Sequence, residues 1–140
     1  MSKYELISVI LSLLAITISF YVYFKNNRFS TTVNTTNITI SIGNAYNAFI
    51  QARQAHTVLS DGNDSLSKDA SIAYHESKDS YLLTLDHACF TYFKHHLDHE
   101  YFDTTYKKTI NDLFSNANFA DNLKNLSKFP YLRKYQNLKK

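Results

Sequence analysis

ELISVILSLLAITISFYVYFK, residues 5–25, decides the fold of this chain. The nineteen residues from Leu6 to Phe24 carry no charge. As a helix, about 20 residues rise about 30 Å, which matches the hydrocarbon thickness of a bilayer. A secretory signal peptide is the main competing interpretation, but its apolar region usually has about 7–15 residues and ends in small residues. This stretch is longer and ends in aromatic residues, so it predicts one uncleaved membrane-spanning helix.

The flanks of the apolar stretch predict its orientation. Lys25 and Arg28 follow it, whereas Lys3 and Glu5 precede it. The positive-inside rule then favours a cytosolic C-terminal domain. Cys89 is the only cysteine, so no disulfide forms within the chain, as is usual in a reducing compartment. Because the sequence is rich in Lys, Asn, Ile and Tyr, which is typical of AT-rich bacterial genomes, we expect a single-pass protein of the bacterial inner membrane.

The rest of the chain predicts helices. Glycine and proline number only two and one, which favours long helices over tight turns. We divide the chain into a transmembrane helix at 1–28, a linker rich in Ser, Thr and Asn at 29–43, and a helical cytosolic domain at 44–140. Within the linker, NITISI at 37–42 alternates polar and apolar residues, which predicts a short strand. The expected fold is all-α, with one N-terminal transmembrane helix followed by a small bundle of four to five helices.

Apolar residues at spacings of three and four predict the helices of the domain. A DGND break at 61–64 separates the first two helices, and DHEYFD at 98–103 is expected to be a connection. The expected bounds are 44–59, 64–97, 104–115, 118–127 and a last helix opened by Pro130. The residues expected to face inward share this spacing: Ala45, Ala48, Phe49, Ala52, His56, Ala73, Tyr81, Leu82, Leu85, Ala88, Cys89, Tyr92, Phe93, His96, Tyr106, Ile110, Leu113 and Phe114.

A stripe of small and hydroxylated residues follows one side of the apolar stretch. Ser8, Ser12, Ala15 and Ser19 have spacings of 4, 3 and 4, so they fall within an arc of about 60° on a helix. Small residues let membrane helices approach closely, which predicts a self-associating anchor. A second interpretation is a pore, in which several copies turn the serines toward a shared axis with Glu5 as a ring at its mouth. Both interpretations require a homo-oligomer.

Charge is divided unevenly along the chain. Residues 61–121 hold eleven acids and five lysines, whereas 122–140 hold six basic residues and no acid. The simpler interpretation is a dipolar, solvated surface. The functional interpretation is a basic tail that meets anionic lipid or nucleic acid phosphates, and the sequence does not separate these two partners. The binding candidates in the tail are Lys124, Lys128, Arg133 and Lys134.

Arg53 is isolated in a segment that is otherwise uncharged. It is the only formally charged residue between positions 29 and 60. A guanidinium needs a planar acceptor such as a carboxylate or a phosphate. The favoured interpretation is an ion pair with Glu76, Asp79 or Asp86 of the following helix. The alternative is the phosphate of a ligand, which makes Arg53 a further binding candidate.

Enzyme signatures are missing from the sequence. Two glycines exclude a glycine-rich phosphate loop, and no H-E-x-x-H motif occurs. His95 and His99 are four residues apart, which places both on one helical face and leaves a metal-dependent enzyme as a weaker alternative. Packing explains Cys89 better than nucleophilic chemistry. We therefore expect a non-enzymatic protein without a metal or another cofactor.

The order of four segments resembles small bacterial single-pass membrane proteins with a helical cytosolic domain, such as the membrane channel effector of the Hailong antiphage defence system. The segments are YELISVILSLLAITISFYVYFK, NAYNAFIQARQA, ESKDSYLLTLDHACFTYF and YFDTTYKKTINDL, which begin at residues 4, 44, 76 and 101. The resemblance implies a homo-oligomeric ion channel whose cytosolic domain binds a nucleotide or single-stranded nucleic acid that controls opening. It assigns a pore role to the serine stripe and, loosely, a ligand role to the basic candidates. We expect a gated membrane effector, either a ligand-gated ion channel or a protein whose first helix perturbs the membrane. The alternative is a passive membrane-tethered adaptor that recruits a protein partner.

Overall fold

The computed structural model describes residues 3–59, 64–125 and 127–138, and every regular element in these ranges is a helix. The bounds are α1 Lys3–Leu59, α2 Asp64–Phe93, α3 His99–Ser115, α4 Ala117–Lys124 and α5 Pro130–Leu138. The predicted all-α class is therefore confirmed for the described residues. Most of the DGND break lies outside them, although α2 begins at Asp64 as predicted.

Helix α1 runs without interruption through residues 29–43, so the predicted linker and the predicted strand are both wrong. Five hydroxyls of this segment donate hydrogen bonds of 2.8–3.0 Å to the carbonyl four residues earlier. Their donors are Thr31, Thr32, Thr35, Thr36 and Ser41. Serine and threonine disfavour helices mainly because they bond to backbone groups in other conformations. Here the same bonding capacity is used inside the helix, and the segment stays helical.

The C-terminus of α2 is closed by His95, which has a φ of 58° and lies in the left-handed region. The N–H of His95 donates to the carbonyl of Tyr92 at 3.0 Å, and the N–H of His96 donates to that of Thr91 at 3.2 Å. This pair of bonds is a Schellman cap, which ends a helix by satisfying its last carbonyls. Helix α2 therefore stops at Phe93, before the predicted end near position 97.

Most of the segment 98–103, predicted to be a connection, is the start of α3, because residues 99–103 are helical. Asp98 is the N-cap of α3, and its side chain accepts the backbone N–H of Tyr101 at 3.0 Å. An aspartate at this position satisfies one of the free N–H groups of the first turn. Helix α3 consequently begins at His99, about one turn earlier than predicted, and α4 ends at Lys124.

The second half of α1 and helices α2–α5 share one hydrophobic core. Most residues predicted to face inward are buried or partly buried, which confirms them. Ala48, Ala73 and His96 are exposed, so these three assignments are wrong. Ala48 and Ala73 lie beside the rows that pack, and His96 lies beyond the end of its helix. The buried hydrophobic residues with zero exposure are Leu82, Leu85, Ala88, Cys89, Ile110, Leu132 and Tyr135.

Carboxylates of α2 and α3 fix the C-terminal helix. The side chain of Asp86 accepts the backbone N–H of Leu132 at 2.7 Å, in the first turn of α5. Asp103 accepts the hydroxyl of Tyr135 at 2.6 Å. Burial raises the pKa of Asp86, although its hydrogen bonds from the backbone oppose that shift. Helix α5 is thus held by polar contacts at its start as well as by its buried residues.

The first half of α1 extends beyond the packed domain. Side chains at 7–30 are all exposed, and core contact begins near Thr35. This part of α1 contains the apolar stretch, which is long and apolar enough to cross a membrane by length and composition. Because none of its most apolar window is buried, it is not the core helix of the packed domain.

Candidate functional site

A cleft of about 250 Å³ lies where α1, α2, α3 and α4 meet, and we call it the Arg53 cleft. Four of its residues come from α1, which continues into the apolar stretch. The lining residues are Tyr46, Phe49, Ile50, Arg53, Tyr81, Thr109, Asp112, Leu113, Asn116, Asn118 and Phe119. The cleft therefore combines one cation, one carboxylate, two amide side chains and several aromatic rings.

Aromatic rings form one wall of the Arg53 cleft. The Phe49 ring is nearly parallel to that of Tyr81, with centroids 6.0 Å apart and an interplanar angle of 10°. Phe119 packs on Phe49 at 5.5 Å, and Tyr46 packs on Tyr81 at 5.5 Å. Phe49 and Tyr81 are buried, whereas Tyr46 is 46% exposed. Tyr46 is thus a fixed but accessible ring, which suits stacking on a flat ligand.

Tyr81 is held in its neutral form. Burial, together with the neighbouring hydroxyls of Tyr46 and Tyr106, raises its pKa to about 12. The phenol therefore keeps its proton throughout the physiological pH range. It adds no charge to a cleft whose formally charged residue types are Arg53 and Asp112.

Arg53 is exposed and, within the part of the chain that the structure describes, forms no ion pair. The favoured interpretation of an ion pair with α2 is therefore wrong. Asp79 accepts Lys128 at 2.6 Å instead, and Asp86 accepts the backbone of α5. Arg53 borders the cleft on one side and a shallower depression beside Thr57 on the other. Its guanidinium is accessible from solvent, which leaves the ligand interpretation standing.

The start of α4 supplies the polar end of the cleft. The Asn116 side chain caps α4 by accepting the backbone N–H of Asn118 at 2.9 Å. The carbonyl of Asn118 in turn accepts the Nζ of Lys78 at 3.1 Å. Lys78 is only 5% exposed and also lies 5.1 Å from the ring of Tyr74. A buried lysine therefore fixes the backbone that carries the two amide side chains of the cleft.

Sequence reasoning missed Lys78. Tyr74, Lys78, Tyr81 and Leu85 follow the same 3–4 spacing, so the lysine stands within the inward stripe of α2. A cation in such a stripe predicts a buried partner, because an unpaired buried charge is costly. That signal was present in the sequence, whereas the identity of the partner depends on where α4 packs.

The four basic candidates of the tail lie away from the Arg53 cleft, and each one contacts a group of its own chain. Two of them form ion pairs: Lys124 with Asp121 at 2.7 Å, and Lys128 with Asp79 at 2.6 Å. Arg133 donates a hydrogen bond to the carbonyl of Leu123 at 2.9 Å. The Nζ of Lys134 lies 4.4 Å from the centre of the Phe93 ring. The structure therefore does not bring the tail candidates together with Arg53. Part of the uneven charge pattern is explained by pairing within the chain.

Asp79 joins α2 to the chain in and after α4 through hydrogen bonds of its side chain. Its two oxygens accept Asn122 and Lys128, each at 2.6 Å. Burial raises the pKa of this carboxyl, but the hydrogen bonds from Lys128 and Asn122 outweigh burial, and the net pKa lies below the ordinary value. Lys128 therefore has a structural partner, which weakens its case as a ligand group.

The serine stripe is exposed along its described length. The hydroxyl of Ser12 donates to the carbonyl of Ser8 at 2.9 Å, and that of Ser19 donates to the carbonyl of Ala15 at 2.8 Å. The hydroxyl of Thr17, on the opposite side of the helix, donates to the carbonyl of Leu13 at 2.8 Å. The Glu5 side chain lies outside the described residues. Hydroxyls on both faces of α1 thus donate to carbonyls of the same helix, so the stripe differs from the opposite face mainly in the small size of its side chains.

The histidine pair does not form a metal site in the structure. His95 closes α2 and His99 opens α3, so the two do not share a helical face as predicted. The Nε2 of His99 lies 2.9 Å from the carbonyl of Tyr92, and their rings stack at 4.0 Å. Among the described residues, no group of three or more His, Cys, Asp or Glu side chains is arranged to hold a metal ion. Cys89 is fully buried, and burial raises the pKa of its thiol.

Comparison with protein families, curated proteins and solved structures finds no match to this chain.

Proposed function

We propose that this protein is an oligomeric membrane effector, a ligand-gated ion channel of the antiphage-defence type, and that it has no enzymatic activity. Its apolar helix crosses the bacterial inner membrane, and the helical domain faces the cytosol as a bundle. The observation that carries the proposal is the continuity of α1 from the apolar stretch to the Arg53 cleft. A ligand in the cleft touches the same helix that enters the membrane.

The dimensions of α1 suit this role. Its 57 residues rise about 85 Å at about 1.5 Å per residue. About 30 Å of that length crosses the hydrocarbon core, and the rest leads into the packed domain, where core contact begins near Thr35. An unbroken helix transmits rotation or tilt over this distance because it has no flexible joint between its ends.

The chemistry of the cleft suits a nucleotide or a single-stranded nucleic acid. Arg53 supplies a guanidinium, which binds phosphate oxygens through two parallel hydrogen bonds. The accessible Tyr46 ring offers a surface on which a base stacks. Asn116 and Asn118 carry amides that both donate and accept hydrogen bonds, as the edge of a base requires. Asp112 is the carboxylate that accepts amino groups of a base and disfavours a second phosphate near it.

Gating follows from the position of the cleft between α1 and its neighbours. Arg53 and Tyr46 belong to α1, whereas Asp112 and Asn118 belong to α3 and α4. A ligand that bridges these helices binds more tightly to one relative position of α1 than to another. Such a difference in affinity is what shifts a protein between two conformations. The channel would therefore respond to occupancy without any covalent chemistry.

Ion flux from liposomes tests the proposal directly. The full chain is reconstituted, and release of a trapped ion is followed with and without nucleoside triphosphates or short single-stranded oligonucleotides. We expect flux that changes when one of these probes is added, and no such change in Arg53→Ala. No flux under any condition would overturn the channel and favour a membrane-tethered adaptor. Flux that is the same with and without every added nucleotide or oligonucleotide would overturn gating by such a ligand.

A further inference from the structure

Helix α1 carries an uncharged exposed face that the packed domain leaves uncovered, and we call it the outer stripe. Its members alternate at spacings of 4 and 3: Phe29, Val33, Thr36, Ile40, Gly43 and Asn47. Phe29 is 71% exposed, Ile40 is 55% exposed and Val33 is 39% exposed. Gly43 has no neighbouring atom within 4 Å of the position where a Cβ would stand. Large apolar side chains in this pattern are unusual on a free surface.

The outer stripe lies on the far side of α1 from the core. Thr35, Ile42 and Phe49 are buried against the domain at a spacing of seven residues. At about 100° per residue, the outer stripe is rotated by about 80–180° from that buried row. Thr36 and Ile40 border a cleft of about 320 Å³ with Asp98 and Tyr101, but both residues remain exposed. The described helices of the same chain therefore leave this face uncovered, and a second helix could pack on it.

The outer stripe continues the serine stripe. Counting back from Phe29, the same alternation passes through Asn26 and Val22 to Ser19. Because α1 is helical throughout, the two stripes form one line along a single helix. A repeat of seven residues over this length is the pattern by which parallel helices pack as a coiled coil.

We propose that the outer stripe is the surface on which α1 of a second copy of this chain packs, in parallel and in register. The interface within the membrane then extends into the domain. This inference rests on the proposed membrane assembly and names the surface that holds it together outside the bilayer. Single-pass insertion turns every copy the same way, and the boundary between Phe24 and Lys25 sets every copy at the same depth.

The residues of the stripe suit contact between identical helices. In a parallel assembly each level brings like residues together, so a charged residue would repel its own copy. None of the stripe is charged. Val33 and Ile40 are β-branched and stand seven residues apart, as is favoured at one of the two core positions of a parallel coiled coil. Asn26 and Asn47 continue that same row, where a buried asparagine fixes the register.

Disulfide crosslinking of the full chain in mild detergent tests the inference. Thr36→Cys places a thiol on the outer stripe, and Ser41→Cys places one on an exposed side of α1 away from it. The parent is the second control, because Cys89 is fully buried. We expect oxidation to crosslink Thr36→Cys between chains and to leave Ser41→Cys and the parent uncrosslinked. Equal crosslinking at both positions, or none at Thr36→Cys, would overturn the inference.

A charge substitution gives an independent readout. Ile40→Glu should reduce the particle mass measured by light scattering, because like carboxylates would meet at one level. Ser41→Glu should leave the mass unchanged. An Ile40→Glu protein of parental mass would overturn the inference even if crosslinking were ambiguous. The two proposals fail in different ways. Crosslinking at Thr36→Cys without any ion flux would contradict the channel but not the outer-stripe interface. Ion flux without crosslinking at Thr36→Cys would contradict the interface but not the channel.

Discussion

The hydroxyl oxygen of Thr35 accepts the backbone N–H of Asp98 at 2.9 Å, across 63 positions of sequence. The same hydroxyl donates its proton to the carbonyl of Thr31 at 2.8 Å. Thr35 is buried at the point where α1 leaves the packed domain, and Asp98 caps α3. One side chain therefore joins the projecting part of α1 to the turn between α2 and α3.

Thr35→Val is expected to destabilise the protein by about 0.5–1.5 kcal/mol, because the part-buried backbone N–H of Asp98 loses its acceptor. Valine keeps the shape of the side chain, so the loss reports the hydrogen bond. Thr32→Val is the matched control, because the exposed Thr32 hydroxyl bonds only within α1 to Arg28. The control should stay within about 0.5 kcal/mol of the parent. Urea unfolding in mild detergent measures both, and equal losses would show that Thr35 has no special role.

The cap of α2 supplies a test of backbone strain. His95 holds a left-handed φ of 58°, which disfavours any residue with a Cβ. His95→Gly and His95→Ala both remove the imidazole and its stacking on His99, so their difference isolates the backbone. We expect the glycine variant to be more stable than the alanine variant by about 1 kcal/mol. Thermal unfolding measures the difference, and an alanine variant of equal stability would argue against the Schellman cap.

The sequence predicts much of the domain because burial follows the helical period. Leu82, Leu85 and Cys89 are inward, and Pro130 opens the last helix, as expected. The failure at 29–43 has a physical cause. A composition rich in Ser, Thr and Asn is typical of linkers, yet the hydroxyls here bond to carbonyls of their own helix. The composition of a segment does not show which group each hydroxyl will hydrogen-bond to.

The candidate site is only partly readable from the sequence. Isolation in an uncharged segment pointed to Arg53, and the structure places it on a cleft. The ion pair expected for Arg53 does not form, and Lys128, one of the binding candidates, has a partner within the chain, for one shared reason. Asp79 selects Lys128 because the chain after α4 folds back onto α2, which is a long-range contact of 49 positions. Spacing along a helix carries no information about such contacts.

The pH dependence of stability should expose the role of Asp79. Its pKa lies below the ordinary value of 3.8 in the folded protein, so the carboxylate contributes stability above pH 3.8. That contribution is lost as the pH falls through the folded pKa. The parent should therefore exceed Asp79→Asn in stability near neutral pH, and the gap should narrow below pH 3.8.

Asp121→Asn is the matched control for this pH experiment. Its pair with Lys124 is also short, at 2.7 Å, but both side chains are exposed and screened by solvent. Denaturant unfolding between about pH 2 and 7 compares the three proteins. This range extends at least about 2 units on either side of the ordinary aspartate pKa, so it includes both the protonated and the ionised carboxyl group. A gap that widens on acidification would contradict the assignment of Asp79 as a structural carboxylate.

Arg53→Ala should weaken binding of a phosphate-bearing ligand without loss of stability. A charged hydrogen bond contributes about 1.5–3 kcal/mol, which corresponds to roughly a 10- to 100-fold lower affinity. Because Arg53 is exposed and has no ion pair among the described residues, the fold should be unaffected. Lys94→Ala is the control cation, since its Nζ lies 5.5 Å from the centre of the Phe90 ring and away from the cleft, and it is not a binding candidate.

Oligonucleotide binding as a function of salt measures this prediction. Loss of one phosphate contact should change the slope of log affinity against log salt by about 0.7 for a single strand. Arg53→Ala should show that change and Lys94→Ala should keep the parental slope. If no variant binds an oligonucleotide at low salt, nucleic acid is removed as a ligand. If Arg53→Ala unfolds more easily and binds normally, the arginine is structural.

The serine stripe provides the test of the pore itself. Ser12 lies on the stripe and Thr17 lies on the opposite side of the same helix, and both hydroxyls bond to the carbonyl four residues earlier. Replacing either with leucine therefore removes the same local hydrogen bond. Leucine is favourable at the centre of a bilayer by about 0.5 kcal/mol, so membrane insertion should be retained in both variants. Any difference between them then reports what each face of the helix meets.

If Ser12 faces a water-filled axis, Ser12→Leu should abolish ion flux from liposomes, because an apolar ring raises a barrier to wetting. Thr17→Leu should conduct like the parent, since its side chain faces lipid. Particle mass is measured in parallel to separate the pore from packing. A Ser12→Leu protein that no longer assembles would assign the stripe to helix contact, whereas equal flux in all three proteins would remove Ser12 from the pore wall. Loss of flux in a particle of unchanged mass is the outcome that makes the apolar helix part of the channel rather than its anchor.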